Sequence, residues 1–161
     1  MEPQQAHPSA SVLAEASSHT DARIDEALIE RLIRRFYDHV REDAVLGPIF
    51  AERIADWESH LQRMFAFWSS VVLATGRYHG HPMQKHAVLP IDARHFDRWL
   101  LLFESTTREI CPPAAAAIFM DRARRIAMSL EMGRADSRGV FLGQGERYID
   151  PVLENADAVH G

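Results

Sequence analysis

The chain has 161 residues, 47% of them hydrophobic, and a formal net charge of -5 at pH 7. This length and apolar content predict one globular domain with a single core. The acidic balance argues against binding to nucleic acid or to an anionic membrane surface, since both attract clusters of basic residues. Cys111 is the only cysteine, which excludes an intrachain disulfide. We find no secretory leader and no apolar run long enough to span a membrane, and we expect a cytoplasmic protein.

The first 21 residues are rich in Ala, Ser, Gln and Pro and show no period, which predicts a flexible N-terminal tail. Thr20 or Asp21 is a suitable helix N-cap. Apolar residues then recur at helical spacing, and this pattern predicts one long amphipathic helix, or two short ones run together, ending before Gly47. The residues that define this pattern are Ile24, Leu28, Leu32, Ile33, Phe36, Tyr37 and Val40.

The tetrapeptide from Gly47 to Phe50, Gly-Pro-Ile-Phe, predicts a tight turn that directs its aromatic residue inward. A second helix is predicted from about Ala55 or Asp56 as far as Gly76. Its residues are apolar on more than one face, which indicates a position in the centre of the core.

Two further helices are predicted after residue 90. One begins near Asp92 and is broken by Pro112 and Pro113, and the last begins at Ala114 and ends with Gly133 as its C-cap. The residues after Gly133 are polar and form no convincing strand or repeat. This C-terminal extension, residues 134–161, is expected either to be disordered or to wrap around the domain. The overall expectation is an all-α protein.

Three histidines lie in the short segment 79–90, where Pro82 is placed to open a short helix and Pro90 to end it. Imidazole is the commonest metal ligand in proteins, including for haem iron. We therefore consider a haem ligated by His86, or a zinc ion held by His79, His81 and His86. A helical interaction module without a cofactor is the third hypothesis, because such a module would account equally well for the amphipathic helices.

Several motifs, in order along the chain, resemble the third group of bacterial truncated haemoglobins over about residues 24–132. They are Phe36-Tyr37, Leu46-Gly47-Pro48-Ile49-Phe50, Trp57 with His60, Phe67-Trp68, Lys85-His86 with Leu89-Pro90, and Phe96 with Trp99-Leu100 and Leu102-Phe103. The resemblance implies a truncated globin fold, a helical sandwich around haem. On this basis we expect a globin domain at residues 22–133 between extended N- and C-terminal tails.

The resemblance also implies roles for individual residues and haem b as the cofactor. His86 occupies the position of the proximal iron ligand, whereas Tyr37, His60 and Trp99 occupy positions of the distal pocket. Phe50, Met64 and Trp68 are expected to form the apolar lining. Without the resemblance, Tyr37 and Trp99 would be interpreted as ordinary core aromatics. The expected propionate-binding groups, chosen by position alone, are Lys85, Arg53, Tyr78 and His81.

If two polar donors face a bound oxygen molecule, their hydrogen bonds are expected to slow the dissociation of the oxygen. At about 1.5–3 kcal/mol for each charge-assisted hydrogen bond, Tyr37 and Trp99 would slow dissociation by on the order of a hundredfold or more. Such a pocket suits oxygen that is held for reaction better than oxygen delivery. We therefore expect oxygen, nitric oxide or other small haem ligands, with a nitric oxide dioxygenase-like or peroxidase-like activity supported by a reductase. A monomer is expected, with a dimer as the alternative.

Overall fold

The computed structural model describes residues 23–86 and 89–160, and over these ranges it contains seven α-helices and no strand. The all-α prediction is confirmed. None of the helices in the described ranges combines the length and apolarity needed to cross a bilayer. The helices are α1 (Glu26–Glu42), α2 (Leu46–Arg53), α3 (Trp57–Leu73), α4 (Pro82–His86), α5 (Ala93–Ile110), α6 (Pro113–Ser137) and α7 (Pro151–His160).

Helix α1 is amphipathic and buries one complete face, from Leu28 to Val40. Its N-cap is Asp25, whose carboxylate accepts a hydrogen bond from the Leu28 amide at 2.8 Å. The caps proposed from the sequence, Thr20 and Asp21, lie outside the described residues. The buried face packs against α3 and α5, and Phe36 meets Phe103 of α5 edge to face with ring centroids 5.1 Å apart.

The turn predicted at Gly47–Phe50 is wrong, because these residues form the first turn of α2. Proline is tolerated there, since the first amides of a helix have no intrahelical acceptor and the fixed φ of the ring suits the helix. The Asp43 carboxylate accepts hydrogen bonds from the Val45 and Leu46 amides and so satisfies this helix start. The aromatic residue still points inward, because Phe50 packs against the main core.

Helix α3 begins at Trp57 behind its N-cap Asp56, close to the start predicted at Ala55 or Asp56, but it ends at Leu73, before Gly76. The chain leaves the helix through Ala74, which adopts a left-handed conformation (φ 55°) ahead of Gly76 (φ 68°). The helix is apolar on two faces for a reason the sequence does not reveal. One face, with Phe65, packs in the core, and the other, with His60 and Met64, borders a cavity, while Trp68 contacts both.

The predicted end of the last long helix at Gly133 is also wrong, because α6 continues to Ser137. The residue that terminates it is Gly139 (φ 75°): its amide bonds to the Asp136 carbonyl and the Val140 amide to the Ala135 carbonyl. This pair of bonds is a Schellman motif. A glycine inside a helix costs only about 1 kcal/mol, and α6 buries its neighbours Glu131 and Arg134 in tertiary contacts.

The described part of the C-terminal extension folds back onto the helices. Tyr148 and Asp150 are almost fully buried, at 2% and 1% exposure. The Tyr148 carbonyl accepts a hydrogen bond from Ala93, the first residue of α5, and helix α7 follows. Of the two alternatives left open by the sequence, wrapping around the domain is therefore the one that the structure shows.

Candidate functional site

A largely apolar cavity of about 450 Å³ lies among α1 to α6. This volume falls within the range of about 300–1,000 Å³ that is typical of cofactor sites. All seven residues predicted for the site contribute to its wall, from five different helices. They are Tyr37 of α1, Phe50 of α2, His60, Met64 and Trp68 of α3, His86 of α4 and Trp99 of α5.

His86 is the last residue of the short helix α4. Its Nδ1 lies 2.7 Å from the Pro82 carbonyl oxygen, which is an acceptor only, so Nδ1 carries the proton and donates it. Nε2 is then the nitrogen with a free lone pair. Burial lowers the pKa of His86 below its ordinary value, which favours the neutral ring. A neutral imidazole held by its other nitrogen is the form that ligates a metal.

His60 and Tyr37 meet in another part of the cavity wall, ring edge to ring face with centroids 4.9 Å apart. His60 Nε2 is buried without a hydrogen-bond partner in the described part of the chain. Burial, followed by the positive charge of Arg63, lowers the pKa of His60 to about 4. Burial also raises the pKa of Tyr37 well above its ordinary value, so the phenol stays protonated and can donate.

Trp99 is held by aromatic packing. Its ring stacks on Phe103 at 5.4 Å, with the planes 5° apart, and Phe36 meets it edge to face at 5.6 Å. Phe36 also packs against Tyr37, with centroids at 5.1 Å, so both polar aromatics share one rigid support. Neither the Tyr37 hydroxyl nor the Trp99 indole N–H forms a hydrogen bond within the described ranges.

Besides Tyr37, four of the cavity-lining residues carry a cationic or phenolic group: Arg53, Arg63, Lys85 and Tyr78. Three of them were expected at the pocket mouth from the sequence, whereas His81 is exposed and does not line the cavity. Arg63 was missed. Its signal in the sequence was its position three residues after His60, which places both on the same side of α3.

His95 also lines the cavity and was not predicted as a site residue. Its Nδ1 accepts a hydrogen bond from the Asp92 amide at 3.0 Å and completes a capping box at the start of α5. The ring therefore has a structural role, and the aspartate three residues before it was the signal available in the sequence.

The tri-histidine zinc site is not supported by the structure. In residues 23–86 and 89–160, no three His, Cys, Asp or Glu side chains come close enough together to hold a metal ion. His79 and His81 are exposed, whereas His86 faces the cavity. A cofactor-free interaction module is also disfavoured, because it gives no reason for a cavity of this size inside the fold.

The site has the features of a globin. Helices pack around an apolar cavity, a short helix presents an available imidazole nitrogen, and polar aromatic residues lie elsewhere in the wall. The comparison with known families gives the same result and is more specific. The model of the bacterial-like globin family matches residues 24–131, and the chain belongs to this family. It is accordingly a haem-binding globin, and the resemblance to group III truncated haemoglobins is confirmed.

Two of the similar proteins are described as members of this group, and a third shares the fold. Group 3 truncated hemoglobin ctb from Campylobacter jejuni is 34% identical over 109 residues, which are 65% of this chain and 86% of that protein. The crystal structure of the group III truncated hemoglobin from Campylobacter jejuni superposes with a TM-score of 0.65 at 32% identity, covering 68% of this chain and 90% of that one. A thermostable hemoglobin from Thermobifida fusca, 22% identical, shares the fold with a TM-score of 0.54 over 70% and 94% of the two chains.

Proposed function

We propose that this globin holds haem b in the cavity, with His86 as the iron ligand on one side and Tyr37, His60 and Trp99 around the small ligand on the other. We further propose that it retains oxygen for reaction with nitric oxide, or handles peroxide, and does not deliver oxygen. When bound, the haem supplies an iron centre that takes diatomic ligands.

The observation that carries this proposal is the set of polar groups that the protein itself leaves without partners. His86 Nε2, His60 Nε2, the Tyr37 hydroxyl and the Trp99 N–H all belong to residues of one apolar cavity, and none is hydrogen-bonded within the described ranges. Of these four atoms, His60 Nε2 is the one that is fully buried, and a buried polar group left unpaired costs about 1–3 kcal/mol. A cofactor and its ligand would provide the missing partners.

His86 and the three distal residues have different tasks. The hydrogen bond from Nδ1 to the Pro82 carbonyl fixes the ring plane of His86 and raises the basicity of Nε2. Tyr37 and Trp99 donate to an electron-rich diatomic ligand and stabilise negative charge on it. His60, kept neutral by its lowered pKa of about 4, can donate or accept through Nε2 without adding a charge.

Arg53, Arg63 and Lys85 are suited to the two carboxylates of the haem, because all three are cationic cavity residues with exposed side chains. Such exposed ion pairs are worth only about 0–1 kcal/mol each. They therefore orient the cofactor more than they contribute to its affinity. Tyr78 adds a neutral hydroxyl donor on the same cavity wall.

The test is the variant His86→Ala, compared with His81→Ala, which removes an exposed histidine that does not line the cavity. We expect His86→Ala to lose haem on purification or to show an altered spectrum in the reduced, oxygenated and carbonmonoxy forms. His81→Ala should retain both haem content and spectrum. Unchanged haem content and spectrum in His86→Ala would show that another residue is the ligand.

Rapid mixing of the oxygenated protein with nitric oxide tests the second half of the proposal. We expect stoichiometric conversion of nitric oxide to nitrate, with the iron left in its ferric state. A protein that releases its oxygen faster than it reacts would contradict the proposed role and leave haem binding intact.

A further inference from the structure

The segment of residues 89–92, which lies between His86 and α5, is held by a part of the chain that the family match does not include. Leu89 and Ile91 of this segment line the cavity, and Asp92 is the N-cap of α5. The residues that hold the segment come from the end of α6 and from the C-terminal extension. Arg134, Tyr148 and Asp150 all lie beyond residue 131, the last residue of the family match.

Arg134 connects the two parts. Its Nε donates to the Ile91 carbonyl at 3.3 Å, and its Nη2 donates to the Asp150 carboxylate at 2.9 Å. The side chains of this ion pair are only 7% and 2% exposed. Because the guanidinium is planar and rigid, its contact with Asp150 fixes the direction in which it meets Ile91.

Two backbone hydrogen bonds complete the arrangement. The Asp150 amide donates to the Asp92 carboxylate at 3.0 Å, and the Ala93 amide donates to the Tyr148 carbonyl at 2.7 Å. The first amide of α5 is thus satisfied by the C-terminal extension and not by a local cap. Residues 91 to 93 are fixed by three hydrogen bonds: Arg134 and Asp150 each donate one, and the Tyr148 carbonyl accepts one. We name Arg134, Tyr148 and Asp150 together the C-terminal clamp.

We infer that Arg134 and Asp150 are positioning residues for His86. The inference rests on the proposed function, in which His86 ligates the haem iron. The clamp fixes the chain five to seven residues after His86, and Leu89 is bonded back to the His86 carbonyl at 3.2 Å. Release of the clamp lets the segment and the imidazole adopt several orientations, which weakens the bond between His86 and iron.

A buried ion pair supports this role better than a role in stability alone. Replacing such a pair by apolar side chains of similar volume is often neutral or stabilising, whereas the best-attested use of buried polar groups is to fix one arrangement. Here the pair also bonds to a backbone carbonyl of the segment, which apolar side chains cannot do.

The test is the double variant Arg134→Met with Asp150→Asn in the full-length haem-loaded protein. Both charges are removed together, so no buried charge is left uncompensated, and the asparagine retains the acceptor for the Val152 amide at the start of α7. We expect the iron–histidine stretching band of the reduced ligand-free protein to shift or broaden in resonance Raman spectra. Haem loss to an excess of a haem-scavenging globin should accelerate by about tenfold, the lower end of the effects seen when a group that orients a metal ligand is removed.

The matched control is Arg98→Met with Asp43→Asn. This second Arg–Asp pair joins α5 to the carboxylate that caps α2, with Arg98 Nε 2.8 Å from Asp43 Oδ1, and it forms no hydrogen bond or ion pair with the described residues 89–93. The control should leave the Raman band in place even where its unfolding midpoint in urea falls. Equal band changes in both double variants would show that the clamp affects His86 only through the overall stability of the fold, and this would overturn the inference.

A second variant tests the inference if the first double variant does not fold. Arg134→Lys keeps a cation beside Asp150 but lacks the fork that reaches Ile91, and we expect a band change with nearly wild-type stability. An unchanged band in a folded variant overturns the inference and leaves the role of His86 intact. Absence of an iron–histidine band in the wild-type protein would refute the role of His86 itself.

Discussion

We expect Tyr37 and Trp99 to determine how tightly the cavity retains a small ligand, since each is a donor without a partner in the described ranges. The double variant Tyr37→Phe with Trp99→Leu removes two charge-assisted hydrogen bonds of about 1.5–3 kcal/mol each. Oxygen dissociation, followed by stopped-flow spectroscopy, should accelerate by on the order of a hundredfold or more. Met64→Leu is the control, because it alters the cavity lining at nearly constant volume without removing a donor. A wild-type rate in the double variant would show that neither donor reaches the ligand.

His60 gives the haem-free protein a pH-dependent stability. The folded state lowers its pKa from 6.5 to about 4, so between these values the unfolded chain binds more protons than the folded one. The free energy of unfolding therefore falls as the pH decreases from about 6.5 to 4. Urea unfolding across this range should show a smaller decrease for His60→Leu than for the wild type. The decrease should not vanish, because burial also lowers the pKa of His86. Identical pH profiles for the variant and the wild type would show that folding does not change the pKa of His60.

At the level of helices, Gly47 allows α2 to approach the end of α1. A Cβ atom added at Gly47 would lie 2.8 Å from the Arg41 carbonyl oxygen and 3.3 Å from that of Val40, and neither backbone atom can rotate away. Gly47→Ala should therefore destabilise the protein by about 1–3 kcal/mol, the usual cost of overpacking. Chemical unfolding measures this change. Glu52→Ala, on an exposed position of the same helix, should stay within about 0.5 kcal/mol of the wild type.

The helices that the sequence predicts well are those with a strong apolar period and a carboxylate cap. Asp56 and Asp92 mark their helix starts in the sequence and in the structure alike. The errors concern Pro48 and Gly133, which were interpreted as breakers. Both types of residue are compatible with a helix when position or packing compensates: Pro48 lies in a first turn, and Gly133 lies between the buried residues Glu131 and Arg134. Local propensity alone does not distinguish these cases.

For the molecule as a whole, the residues of the cavity were predictable and those of the clamp were not. His86, Tyr37 and Trp99 lie in motifs shared with a known family. The spacing of these motifs along the chain indicates the truncated globin fold. Asp150 is different: it bonds to Asp92, which lies 58 residues earlier. Hydrophobic periodicity carries no information about such a buried polar contact. The sequence therefore predicts either disorder or wrapping for the extension, and only the structure distinguishes the two.

The two ends of the chain should contribute very differently to stability. Residues 1–21 remain a predicted flexible tail, and their deletion should leave haem content and the urea midpoint unchanged. Deletion of residues 142–161 removes the buried side chain of Tyr148 and the partner of Arg134 in an ion pair that is almost fully buried. Losing one member of such a pair costs about 3–5 kcal/mol, and we expect a loss of at least this size. Urea unfolding of both deletion variants beside the full chain, with and without haem, measures the contrast. Equal midpoints for the C-terminal deletion and the full chain would contradict this prediction and show that the extension does not stabilise the fold. A large loss in the N-terminal deletion would show that residues 1–21 stabilise the domain.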